Sequence, residues 1–278
     1  LALGVADLFT LGVNSPNFVP DTPANRPQPP DFLDVLSVPV EDVAWHVDGA
    51  AGLEGRSMLW RIPDIYGVHP FMLATIEKLR QIRVDRRWEV LAVRYATMFE
   101  DIPDNVPLTA LGEGVNYEGR PYTVYELDNP RPFAHLVYQA RVSDDGQRGA
   151  HAIMAEPWID LREIAVLTQP LPFELPGARP ELSRVDAFKM VMPEYLEMQV
   201  STGADALLTL AVADHPGWHA TVNGQPVPTV DTYAGLIGIP IRAGENQKVT
   251  LRFLPDSLIA GAALSTLAWA ALIVYVFA

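Results

Sequence analysis

Residues 206–265 read ALLTLAVADHPGWHATVNGQPVPTVDTYAGLIGIPIRAGENQKVTLRFLPDSLIAGAALS, and this stretch decides the fold. Ala206 to Ala213 is an apolar run too short for a typical helix. Trp218 to Val222 follows a Pro-Gly turn at 216–217 and reads as a strand. Asn223-Gly224 then supplies the strongest short hairpin signal, because a type I′ turn needs positive φ at both central residues. Leu236 to Ile241 and Lys248 to Leu254 complete a set of four strands bounded by turn residues.

Downstream of this block the chemistry changes. Leu258 to Ala278 contains no charged residue and no proline. About 21 residues at ~1.5 Å rise give ~31 Å, close to the ~30 Å of a bilayer core. This predicts a transmembrane helix over 258–278, with the lipid bilayer as its partner. Asp256-Ser257 suits the N-terminus of that helix.

Upstream, Pro121 to Leu127, Phe133 to Val142, Val185 to Met192 and Tyr195 to Ser201 also read as strands. Turn residues recur every 8 to 12 positions or so, as in an all-β sandwich. Glu89 to Phe99 reads as a strand as well. Helical promise is confined to 39–87. Glu41 to His46 suits a short helix, and Pro70 to Ile82 places Leu73, Ile76, Leu79 and Ile82 every third residue. Seven prolines between Asn14 and Val40 exclude both helix and central strand there. Leu1 to Val13 is apolar but too short to span, and it reads as the end of a transmembrane helix. The expected organisation is therefore the end of a helix at 1–13 and a proline-rich extended lead-in at 14–40. A small α/β part at 41–127, a β-sandwich of jelly-roll type at 128–257 and a membrane helix at 258–278 follow. The fold class is mainly β.

Composition removes several functions. The 278 residues hold no cysteine, which excludes disulfide scaffolds, thiolate nucleophiles and cysteine-built metal centres. A net charge of -14 argues against a nucleic-acid partner, since phosphate neutralisation needs a basic face. His215 and His219 have the i, i+4 spacing of helical metal sites, but Pro216-Gly217 breaks any helix between them. No metal and no cofactor is expected. The carboxylates Asp64, Asp101, Asp104, Asp160 and Asp214 read as solvated surface, and no catalytic residue stands out. Trp158, Trp218 and Tyr233 are candidate glycan contacts if they are exposed, and core residues otherwise.

The same C-terminal stretch resembles the extracytoplasmic end of YfhO-type bacterial multi-pass membrane proteins. The likeness rests on Pro216-Gly217-Trp218, the Asn223-Gly224 turn, Ala243-Gly244, Phe253-Leu254-Pro255, and Gly261 with Ser265. Pro216, Gly217, Trp218, Asn223, Gly224 and Pro255 are read as structural positions of that pattern. Asp64 to Gly67 with Pro70, Trp88 to Ala96, and Val124 to Glu126 with Asn129-Pro130-Arg131-Pro132-Phe133 resemble earlier pieces of it more loosely. The resemblance implies membership in a class of membrane glycosyltransferases that use polyprenyl-phosphate-linked sugars. In that class the catalytic carboxylate lies in an early loop, so none is carried over to this chain. The expectation is a cell-membrane location with the bulk of the chain extracytoplasmic and itself non-catalytic, and a glycan or lipid-linked sugar as partner. A membrane-tethered carbohydrate-binding module and a structural or assembly module are the competing readings.

Overall fold

Two adjacent leucines show how the layers are built. Leu207 and Leu208 point to opposite faces of one strand, as the two-residue period requires, and both are fully buried. That strand therefore lies in the middle of the molecule, with apolar material on each side. The computed structural model describes residues 29–53, 55–66, 74–99, 103 and 105–277. The expected helix end at 1–13, residues 14–28 of the lead-in, and Pro70 to Leu73 lie outside the described residues.

The central layer is a six-stranded sheet built from β5 (Ala134–Val137), β6 (Gln139–Val142), β7 (Ile164–Leu167), β10 (Ala206–Ala213), β13 (Val230–Thr232) and β14 (Leu236–Ile241). Its order is β5-β10-β14-β13-β7-β6. The strand expected over Phe133 to Val142 is interrupted at Tyr138, and its halves have different partners. β5 runs antiparallel to β10, and β6 runs parallel to β7. The two edge strands are thus consecutive in the chain, so the sheet curls until its edges meet.

The outer layer is a five-stranded antiparallel sheet. It contains β8 (Ser183–Met192), β9 (Tyr195–Thr202), β11 (Trp218–Val222), β12 (Gln225–Val227) and β15 (Gly244–Phe253), in the order β12-β11-β15-β9-β8. Leu136, Leu208, Leu210, Ile237 and Ile239 of the central sheet pack against Leu196, Met198, Val200, Val249 and Leu251 of the outer one. This is the expected sandwich. The Tyr138 hydroxyl bonds Ser183 Oγ at 2.7 Å and Thr202 Oγ1 at 2.9 Å, and so ties the sheets at one edge.

The opposite face of the central sheet meets the N-terminal part. There β1 (His46–Asp48), β2 (Val93–Met98), β3 (Leu108–Val115) and β4 (Pro121–Leu127) form a third sheet in the order β1-β2-β4-β3. Short helices α1 (Leu33–Leu36), α2 (Ala74–Leu79), α3 (Val84–Val90) and α4 (Gly146–Ala155) accompany it. Leu79, Trp88, Val90, Val93 and Leu127 share one buried cluster with Val137, Met154, Val166, Leu207 and Leu236. One core therefore joins residues on both sides of position 127.

Besides Glu41 to His46, where only a 3-10 turn at Val40–Asp42 forms before His46 opens β1, two local expectations are corrected. Glu89 and Val90 belong to α3, and the strand begins only at Val93. The chain turns between them because Ala92 takes a left-handed conformation at φ 52°. The second correction is α4, which the sequence reading did not foresee. Ala150 and Met154, one helical turn apart, are its fully buried residues.

The last strand runs directly into α5 (Asp256–Phe277). Among the described residues it is the one helix long and apolar enough to cross a membrane, and residues Asp256–Val276 have none of their surface covered by the domain. An apolar helix of this length, with none of its residues buried among the described ones, is a candidate membrane span.

Candidate functional site

Two of the stretches that carry the family likeness, 216–218 and 253–255, meet where the outer sheet gives way to α5. Trp218 opens β11 and pairs with Phe253 at the end of β15, and their rings meet at a tilt of 57° with centroids 5.1 Å apart. The His215 ring lies on the other flank of Phe253 at 5.3 Å. The Leu254 amide donates to Gly217 O at 2.7 Å. His219 Nε2 lies 3.1 Å from Leu254 O. Pro216-Gly217-Trp218 thereby clamps Phe253-Leu254-Pro255, the last residues before the helix. The two histidines engage separate partners within this clamp.

Gly217 is required by space rather than by φ. A Cβ there would lie 2.7 Å from Phe253 Cε2 and 2.9 Å from Pro255 Cγ. Gly217→Ala is expected to lower stability by about 1–3 kcal/mol through this overpacking. A urea midpoint unchanged from the parent chain would refute the clamp. Asn223 and Gly224 sit at the far end of β11, at φ 51° and 78°, the values of the expected I′ turn. Asn223 Oδ1 also accepts the Lys248 amide at 2.9 Å. This turn stands apart from the clamp and completes the hairpin.

The three candidate glycan contacts separate by burial. Trp158 is 73% exposed, Trp218 is half-buried in the clamp, and Tyr233 is fully buried. Tyr233 therefore has no face to offer a sugar. Its hydroxyl donates to Leu161 O at 2.9 Å, inside the core.

Two polar constellations escaped the sequence reading. The first centres on Asp48, 3% exposed at the end of β1. Its Oδ2 accepts Trp88 Nε1 at 2.6 Å, Arg87 Nη2 at 3.1 Å and the Tyr66 hydroxyl at 3.4 Å. Its Oδ1 accepts the Ala50 amide at 3.2 Å. Burial, with the Asp48 charge second, pushes the Tyr66 phenol up to about 12. A cleft of about 390 Å³ adjoins the group. Both carboxylate oxygens are held by fixed donors, so the arrangement suits fastening β1 to α3 better than proton transfer.

The second centres on Arg131, which is 2% exposed. Its Nη2 donates to Thr209 Oγ1 at 2.7 Å and to the Tyr233 hydroxyl at 2.9 Å. The guanidinium carbon lies 5.0 Å from the Tyr233 ring centroid. Its Nε is buried without an acceptor, and no carboxylate lies within ion-pair distance among the described residues. Nearby, His135 Nε2 lies 3.0 Å from Arg162 O. Burial, and after it the positive charge of Arg131, push the His135 imidazole down to about 4. Arg131 lines a cleft of about 280 Å³ with Arg86, Arg162, Glu89, Asp85 and Asn105. The only signal for it in the sequence was an arginine set between two prolines, Pro130 and Pro132.

The carboxylates read as solvated do not all stay at the surface. Asp160 is exposed, whereas Asp64 and Asp214 are half-buried, and burial raises both above the usual range. Asp101 and Asp104 lie outside the described residues.

No curated protein and no solved structure matches the chain. A family model does. Residues 188–265, from the middle of β8 through the clamp to the third turn of α5, match the family described as bacterial membrane protein YfhO.

Proposed function

We propose that this chain is the extracytoplasmic domain of a polytopic membrane protein related to the cell-envelope glycosyltransferases that use polyprenyl-phosphate-linked sugars. In this reading the domain itself performs no catalysis, and it holds or covers the place where such a sugar meets its acceptor. The observation that carries it is the clamp. Within the matched residues, Pro216-Gly217-Trp218 grips Phe253-Leu254-Pro255 immediately before the membrane helix. The matched feature therefore sets how a β domain stands on the bilayer. A glycan-binding module remains the second reading, supported by the 73% exposure of Trp158.

Placement outside the cytoplasm has a direct test. Residues 1–278 hold no cysteine, so once any cysteine elsewhere in the protein is replaced, a single one here reports its own side of the membrane. Asp144→Cys and Lys189→Cys, both at exposed positions, are expected to react with a membrane-impermeant maleimide in intact cells. Labelling that appears only after the membrane is permeabilised would overturn the placement.

A further inference from the structure

We propose that the cleft lined by Arg86 and Arg131 binds a phosphate group, either the free ion or the phosphate of a small ester. The argument begins with charge pairing. Of the ionic groups lining the cleft, Arg162 Nε is paired with Glu89 at 2.7 Å. Asp85 is paired with Arg83 at 3.0 Å and accepts from Asn105 Nδ2 at 2.8 Å. Arg86 and Arg131 are left with no carboxylate partner among the described residues.

The remaining contacts of these two residues do not answer their charge. Arg86 Nε donates to Met154 O at 3.0 Å, and its Nη2 donates to Glu156 O at 3.3 Å and to Ile159 O. Arg131 spends Nη2 on two hydroxyls and leaves Nε without an acceptor. A guanidinium at 2% exposure with only neutral partners is an uncompensated buried charge, which folded proteins seldom keep without an anion. With the half-buried Arg86, whose partners are carbonyls, the cleft holds two positive charges that no carboxylate answers among the described residues, in a chain whose net charge is -14. That matches a doubly charged phosphate better than a carboxylate, and the planar fork of arginine suits its oxygens. The volume, about 280 Å³, is at the small end for ligand sites and suits a phosphate or a phosphorylated monosaccharide. Arg162 and Trp158 lie in one short segment of chain, and Trp158 is an exposed aromatic.

The test uses the full chain in detergent at constant ionic strength. Inorganic phosphate and a hexose 1-phosphate are titrated separately, and thermal unfolding and phosphorus NMR line width are read. Both readouts are expected to respond in the parent chain. Arg131→Met and Arg86→Met are each expected to weaken binding by about 10- to 100-fold, the effect of losing a charged hydrogen-bond donor. Arg131→Met also removes an unpaired buried charge, so it is expected to fold, and circular dichroism checks this. Tighter binding of the ester than of the ion assigns the cleft to an ester. Equal binding assigns it to the free ion. No response in the parent chain, or an undiminished response in a folded Arg131→Met chain, would overturn the proposal and leave Arg131 as a strut between β10 and Tyr233. This site does not depend on which side of the membrane the domain faces.

Discussion

Asp48→Ala is expected to cost about 3–5 kcal/mol of folding stability, the usual effect of removing one partner from a buried ion pair. The carboxylate is the meeting point of three separate pieces of chain. Deleting it strands the Trp88 indole N–H, on a side chain that is 1% exposed. It also strands the Arg87 guanidinium, which is 12% exposed and whose Nε already lacks an acceptor. Arg87 keeps one hydrogen bond, to Arg80 O at 2.7 Å, which does not answer its charge. The loss would spread, because Asp48 O accepts the Thr97 hydroxyl, and Thr97 Oγ1 accepts the amides of Ala51 and Gly52. Asp48→Asn keeps an acceptor for Trp88 and loses only the charge, so it should fall between the parent and Asp48→Ala. Urea unfolding of the three chains gives the order. An Asp48→Ala midpoint within about 0.5 kcal/mol of the parent, the range of ordinary surface substitutions, would mean that the cluster does not hold the N-terminal sheet to α3.

These polar clusters mark where sequence reading stops. β4, β10, β11 and β14 begin and end where their patterns said, because each is bounded by turn residues and filled with apolar or β-branched ones. The Asn223-Gly224 turn followed from two residues alone. The helix expected from Leu258 starts two residues earlier, at Asp256. By contrast, Gln139 to Val142 looked like a continuation of the strand before it, and nothing local says that it pairs with β7. α4 begins Gly-Gln-Arg-Gly, and two glycines hide a helix whose only strong sign is Ala150 with Met154. The strand read from Glu89 hid the end of α3, whose Trp88 indole is turned inward to a carboxylate forty residues away. Asp48 and Arg87 carried no period and no motif, and Arg131 stood only in a stretch that loosely resembles the family pattern. Their importance comes from burial, which only the tertiary fold supplies.

The largest effect is expected from the membrane helix. Residues 29–255 expressed alone should leave the membrane fraction entirely, while residues 29–278 resist alkaline carbonate extraction and float with liposomes. α5 spans 22 residues, ~33 Å at ~1.5 Å per residue, enough for a ~30 Å bilayer core. Its surface from Asp256 to Val276 is not covered by the domain, so its removal takes no packing from the sandwich. The truncated chain should therefore keep its strand signal in circular dichroism and its urea midpoint. Starting both chains at residue 29 removes Leu1 to Val13 and isolates α5 as the anchor. A graded control is Leu267→Arg, which places a charge near the middle of the helix at a cost of about 2.5–3.5 kcal/mol on insertion scales. That cost should reduce membrane retention without abolishing it, since twenty other residues of the helix still favour lipid. If residues 29–255 remained bound to liposomes, the domain surface itself would be the membrane contact. If they lost their fold, α5 would be a core helix after all. The clamp at Gly217 belongs to the same argument: Gly217→Ala should loosen the junction with the helix while leaving insertion intact, because the energy of insertion resides in the helix and that of orientation in the strand that leads to it.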